Sequence, residues 1–212
     1  MFEYVPKSEY QPIQKYVESV INKVQKDLRK KGIVTFQYHL IGSAGKRHLI
    51  TREINGNRGF DFDYNFVIQK YNPDYQKPKE LKKVFINEFN KYFGSNYECA
   101  EDSTSVFTIK NIDKTKSKII HSFDFAIVDY VYDSEDRLRQ RYIRFDKNTK
   151  GYSWSFRKLH NDHSDYEELI KEEGLWDKLR DLYLENKNKE PHKKSRIVYY
   201  QTIDTIFKRH FQ

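Results

Sequence analysis

The sequence predicts an α+β fold, a mixed β-sheet flanked by helices and followed by a short C-terminal helical part. Two stretches alternate large aromatics with acids at the period of a strand, Phe60-Asp61-Phe62-Asp63 and Phe123-Asp124-Phe125. Apolar residues recur at helical spacing before and between these stretches. Beyond residue 160 the strand patterns give way to helical ones. The core is therefore placed at residues 1–160 and a helical extension at 161–212.

Taken in order, residues 1–10 read as irregular. Gln11 to Lys31 reads as a helix, with Ile13, Tyr16, Val17, Val20, Ile21, Val24 and Leu28 on one face and Gly32 closing it. Ile33–Ile41 is the first strand and ends at Gly42-Ser43. Residues 51–59 read as a loop with Gly56 and Gly59, and the next strand runs from Phe60 to about Gln69. Pro73 and Pro78 bracket a loop, and Lys79–Phe93 is a second helix. Tyr97–Ala100 and Ser105–Ile112 form a hairpin whose turn holds Glu101 and Asp102 as solvated acids.

The strand containing Asp124 follows, spanning residues 119–132. Asp129 lies on its Phe face. Arg137, Arg139 and Arg141 share one face of a further strand, where they repel unless an anion sits among them. Either a phosphate group supplies that anion or the strand is a solvated edge blunted by charge. Residues 151–158 form a short aromatic strand or loop. Ser164 with Glu167 has the spacing of a capping box, and a helix bent near Gly174 follows to about Asn186. The last helix, Ser195–Phe211, turns Ile197, Tyr200, Ile203, Ile206 and Phe207 inward. His160 and His163 read as loop residues, not metal ligands.

The acids carry the chemistry. Residues i and i+2 of a strand share a face, so Asp61 and Asp63 project together while Phe60 and Phe62 point into apolar packing. Adjacent carboxylates repel and lose solvation on a half-buried strand, a cost that a cation offsets. Magnesium takes hard oxygen ligands and leaves room for substrate phosphates. If the strand of Asp124 pairs with that of Asp61 and Asp63, three carboxylates meet beside the Gly-Ser turn. There Gly42 lets backbone approach a phosphate, and Ser43 can donate to it.

This ordered set, Gly42-Ser43, then Asp61-x-Asp63 on the next strand, then a lone Asp124 on a later one, resembles the nucleotidyltransferase superfamily of DNA polymerase beta type. The resemblance covers roughly the first 130 residues. Seventeen residues separate Ser43 from Asp61. That length suggests an inserted loop and leans toward the oligoadenylate-synthase and cyclic-dinucleotide-synthase branch. The resemblance implies a nucleotidyltransferase core that transfers a nucleoside monophosphate from an NTP to a hydroxyl with release of pyrophosphate. It implies two magnesium ions, or manganese, held by Asp61, Asp63 and Asp124, which are also the catalytic residues. Gly42, Ser43 and Lys46 would contact the nucleotide. The two C-terminal helices resemble the part that closes one side of the nucleotide cleft, and Ser195, opening the last helix, would reach the triphosphate. The acceptor is left open among a small molecule, RNA, a protein and a second nucleotide. The competing readings are a non-catalytic nucleotide- or RNA-binding module, and a toxin or defence protein using the same chemistry.

Composition narrows the classes further. The chain has 17 Tyr and 15 Phe, so aromatics supply much of the buried area. A net charge of +8 suits a polyphosphate or nucleic-acid partner. A single cysteine, Cys99, excludes an intramolecular disulfide and fits a reducing compartment. With no long apolar run and no signal pattern, a cytoplasmic protein with no membrane partner is expected.

Overall fold

A computed structural model describes residues 1–157 and 163–212; His160 lies outside the described residues. The chain forms two compact units. The first holds Val5–Ile50 and Asn57–Arg157. The second holds Met1–Tyr4, Thr51–Gly56 and the described part of residues 158–212, so it takes in two segments upstream of residue 160.

The first unit is a seven-stranded mixed sheet with two helices. Its elements are α1 (Lys7–Lys30), β2 (Val34–Ile41), β4 (Phe60–Tyr71), α2 (Pro78–Phe89), β5 (Glu101–Asp102), β6 (Phe107–Asp113), β7 (Lys118–Tyr132), β8 (Leu138–Phe145) and β9 (Tyr152–Phe156). The remaining strands, β1 (Phe2–Tyr4) and β3 (Thr51–Glu53), belong to the second unit. The strand order is β2-β4-β7-β6-β5. The second half of β7 pairs with β8, and β8 with β9. The β4–β7 pair is parallel and every other pair is antiparallel.

The period-2 alternation holds in both acid-bearing strands. Phe60, Phe62, Tyr64 and Phe66 of β4 and Phe123 and Phe125 of β7 are buried in one apolar core with residues of α1 and α2. Phe66 packs on Phe85, Phe89 and Phe125 at centroid separations of 5.6, 5.4 and 5.2 Å. Each such side chain contributes about 1.5–3 kcal/mol of burial, so this face fixes the register of the pair. Entry into β4 requires glycine, because a Cβ on Gly59 would fall onto the carbonyl oxygen of Ile120 in β7.

Helix α1 starts four residues before the expected Gln11 and runs through Pro12, forgoing one backbone bond there. It ends as expected at Gly32, whose φ is +65°. Gly32 and Ile33 donate their N–H groups to the carbonyls of Arg29 and Leu28, which satisfies the end of the helix. The hairpin before β7 is shifted. Tyr97 makes only an isolated bridge to Asn111, and the strand paired with β6 is Glu101–Asp102 itself. Those two acids are not simply solvated: Glu101 is ion-paired to Lys110 at 2.6 Å and Asp102 to the buried Lys82 at 2.5 Å.

The second unit joins a two-stranded sheet to three helices, α3 (Ser164–Glu172), α4 (Trp176–Lys189) and α5 (Ser195–Phe211). Strand β1 pairs antiparallel with β3, in stretches expected to be irregular. The Asn188 side chain accepts from the Phe2 N–H at 2.5 Å and donates to the Phe2 carbonyl at 3.1 Å. Gly174, at φ +66°, separates α3 from α4. Ser164 is already helical behind His163, which takes the N-cap position in place of the expected Ser164, and among the described residues no side-chain hydrogen bond caps the turn there. Helix α5 is rotated from the expected face and buries Val198, Tyr199, Thr202, Ile203 and Ile206. Ile197 is 43% exposed. The buried Thr202 hydroxyl bonds to the Val198 carbonyl and to Asn186 of α4, which brings a polar residue inward on the face that apolar periodicity alone does not select. Among the described residues, no helix is long and apolar enough to cross a membrane.

Candidate active site

The parallel β4–β7 pair sets Asp63 opposite Asp124 and Asp61 opposite Ser122. All four lie on the sheet face opposite the aromatic core. Residues facing each other across a ladder share a face, so Asp61, Asp63 and Asp124 come together as the alternation implied. The Ser122 hydroxyl donates to Asp61. Thr108 of β6, opposite Asp124, donates its hydroxyl to Asp124 Oδ1 at 2.6 Å. Burial, reinforced by the charges of Asp124 and then Asp61, pushes the Asp63 carboxyl up to about 7 against the opposing pull of Arg157. Burial likewise raises Asp124, with the Asp61 charge adding to it and the Thr108 hydrogen bond and Lys110 opposing it.

Strand β2 delivers the turn to the same place. Ile41, its last residue, is opposite Asp63, and Gly42–Ala44 then makes one 3-10 turn. Gly42 has φ +67°, and a Cβ there would overlap Asp63 Oδ2. Only glycine lets the backbone turn this close to the carboxylate. The loop is closed by Leu49, whose N–H donates to the Ser43 carbonyl at 2.7 Å. Lys46 is exposed on this loop. Gly42→Ala is therefore expected to displace Asp63, to cost about 1–2 kcal/mol for the left-handed backbone, and to weaken nucleotide binding. Thermal unfolding and nucleotide titration of the variant check both effects.

Ser195 lies in the second unit at the start of α5, where it accepts a hydrogen bond from Lys187 at 2.7 Å. The arginine strand finds its anions within the protein. Arg141 bonds Asp129 at 2.7 Å, and Arg139 and Arg137 reach Asp133 at 3.2 and 3.0 Å. Strand β8 is an interior strand, not an edge. His163 sits before α3, stacked on Tyr200 and 3.1 Å from Asp204. The sequence reading missed Arg157, whose Nη2 donates to Asn65 Oδ1 at 3.0 Å. Asn65 lies two residues beyond Asp63 on the acid face and is itself buried. The only signal was period 2, which places residue 65 with 61 and 63.

Among the described residues, no three His, Cys, Asp or Glu side chains are gathered closely enough to hold a metal ion as they stand. The carboxylates of Asp61 and Asp124 are turned onto the Ser122 and Thr108 hydroxyls. The donor chemistry nevertheless fits a hard divalent cation. Three carboxylates share one face, and burial together with their mutual repulsion raises Asp63 and Asp124, a cost that a bound cation offsets.

No protein-family model matches the chain, and no curated protein matches it. Solved structures do. The CD-NTase CdnG of Bradyrhizobium diazoefficiens in complex with GTP aligns over 72% of this chain and 39% of its own, at 13% identity and a TM-score of 0.50. The GTP-bound form of Vibrio cholerae DncV aligns over 95% of this chain and 52% of its own, at 12% identity and a TM-score of 0.51. A mutant of the same dinucleotide cyclase in complex with ATP and GTP aligns over 81% of this chain and 48% of its own, at 13% identity and a TM-score of 0.50. The chain thus spans roughly four tenths to half the length of these proteins. At such identities the likeness is one of architecture: this chain has the nucleotidyltransferase fold of the CD-NTases.

Proposed function

We propose that this chain is a divalent-metal-dependent nucleotidyltransferase, transferring a nucleoside monophosphate from an NTP to a hydroxyl and releasing pyrophosphate. The observation that carries this reading is the meeting of Asp61, Asp63 and Asp124 on one sheet face beside the Gly42 turn, whose left-handed backbone at φ +67° lies against the Asp63 carboxylate. The fold, shared with proteins solved with GTP or ATP bound, supports it.

In this scheme the acceptor oxygen attacks the α-phosphorus. The bond from that phosphorus to the bridging oxygen breaks, and pyrophosphate leaves with the electron pair. Ser43 and the backbone N–H groups of its turn orient the β- and γ-phosphates, with Lys46 as a further phosphate contact. Asp61 and Asp63 serve both the triphosphate and the acceptor hydroxyl, and Asp124 mainly the acceptor hydroxyl. Magnesium or manganese held by the three carboxylates would acidify that hydroxyl and stabilise the departing pyrophosphate. A second nucleotide is the acceptor that the cyclase neighbour suggests.

The test is incubation with each α-labelled NTP plus magnesium or manganese, alone, with a second NTP, with RNA and with cell extract. The label should move to one acceptor with stoichiometric pyrophosphate release, and omission of the divalent ion should stop it. Nucleotide binding without pyrophosphate release in every mixture would instead mark a non-catalytic binding module.

A further inference from the structure

Strand β4 presents a graded series on its open face: the carboxylates of Asp61 and Asp63, then the carboxamide of Asn65 carrying the Arg157 guanidinium. The backbone N–H of Arg157 donates to the Gln140 carbonyl of β8 at 3.0 Å, while its side chain reaches β4. In the sheet order, β7 lies between β8 and β4, so the side chain of Arg157 lies across the face of β7. Asn65, 7% exposed, has no freedom to follow solvent, and its oxygen fixes one edge of the guanidinium. A guanidinium carries five donors in a rigid fork, so it can hold a protein partner and an anion at once. Arg157 itself is only half-buried. Its charge is close enough to lower the carboxyl of Asp63, a guanidinium within electrostatic reach of the acid cluster.

A nucleoside triphosphate needs cations on its non-bridging oxygens at one place and a cation-binding carboxylate set beside it. The acid face supplies the carboxylates at Asp61, Asp63 and Asp124, and the fixed positive charge one step further along the same strand. We propose that Arg157, pegged by Asn65, is a phosphate-binding residue that grips the triphosphate of the nucleotide substrate through charge-assisted hydrogen bonds. This rests on the nucleotidyltransferase reading of the same site and adds to it a cation for the triphosphate on the side of Asp63 away from the Gly42 turn.

The experiment titrates inorganic tripolyphosphate and ATP, each with magnesium, into the wild type and into Arg157→Gln, Arg157→Lys and Asn65→Ala. Adenosine serves as a control ligand without phosphates. Arg157→Gln is expected to weaken tripolyphosphate and ATP about ten- to a hundredfold and to leave adenosine unchanged. Arg157→Lys should recover part of the loss, since it keeps charge without the fork. Asn65→Ala should fall between wild type and Arg157→Gln. The gap between wild type and Arg157→Gln should narrow as salt rises. If the wild type binds both ligands and Arg157→Gln binds them equally well, the inference is overturned while the nucleotidyltransferase reading stands. A lowered thermal midpoint with unchanged tripolyphosphate affinity overturns it in the same way and leaves Arg157 a structural strut. If the wild type binds neither ligand, the reading of the site fails and the inference falls with it.

Discussion

Asp124→Asn is expected to lower nucleotidyl transfer by on the order of a thousandfold or more, equivalent to several kcal/mol of barrier, while sparing most of the NTP affinity. The reason lies in the division of labour on the acid face. Asp61 and Asp63 share one strand beside the Gly42 turn, where the proposed scheme puts the triphosphate. Asp124 stands across the ladder on β7 with Thr108 behind it, and the proposed scheme gives it mainly to the acceptor. An asparagine there keeps an oxygen for the Thr108 hydroxyl, so the local hydrogen bond need not be lost. Burial already disfavours the charge at position 124, and removing it eases the strain on its neighbours. The variant should therefore melt no lower than the wild type without metal. NTP titration, pyrophosphate release and the thermal midpoint decide the matter on one protein, and retained turnover would remove Asp124 from its assigned role.

Asp63→Asn is expected to stabilise the metal-free protein at pH 8 and to have little such effect near pH 4. The folded-state carboxyl titrates at about 7, against about 3.9 in an unfolded chain. A group whose folded pKa is raised favours the folded state fully below the unfolded value, and that contribution is lost as pH rises through the folded value. The loss therefore runs from about pH 4 to pH 7 and is complete above it. A shift of about three units sets an upper bound of about 4 kcal/mol, or up to roughly ten degrees in thermal midpoint for a chain of this size. The variant's midpoint should rise above that of the wild type progressively across that window; the comparison is made as a difference because burial holds His121 down to about 4, which contributes with the opposite sign in the same range in both proteins. Magnesium should restore the wild type at pH 8 by mass action on the folded state. A variant with the same pH profile as the wild type would show that Asp63 is not the titrating group.

The aromatic-acid alternation made the site legible in the sequence. Where β4 and β7 pair, one face carries Phe60, Phe62, Tyr64, Phe66, Phe123 and Phe125 and the other holds the acids, so period 2 alone assigned Asp61, Asp63 and Asp124 to a common side once the strands were paired. Helix α1 and the end of β2 at Gly42 were legible for the same reason, an uninterrupted period closed by glycine. What escaped depends on register between segments. Strands β1 and β3 have three residues each and pair across some fifty positions, too short to show a period. Arg139 and Arg141 read as either an anion site or a charged edge because nothing local shows that the β7–β8 ladder sets Asp129 opposite Arg141. Arg157 follows a strand of five residues, and its meaning comes only from Asn65 on a strand ninety-two positions away. The inward face of α5 was misjudged because it includes Thr202, which is held by a partner on another helix.

The parallel pairing of β4 with β7 has a consequence for how the molecule comes into being. Asp63 and Asp124 are sixty-one positions apart in the chain, and parallel partners cannot be joined by a tight hairpin. At a synthesis rate of about 5–20 residues per second, several seconds separate their emergence. During that interval β2 and β4 can already form their antiparallel ladder, but β4 is a sheet edge and its two acids have no third. The loop closure that brings β7 home is the slow kind of contact that limits folding rate. Core packing and site assembly thus share one late event: the strand that brings Phe123 and Phe125 into the hydrophobic core is the same one that brings Asp124 to the other two acids, so an incompletely folded chain has no assembled carboxylate set.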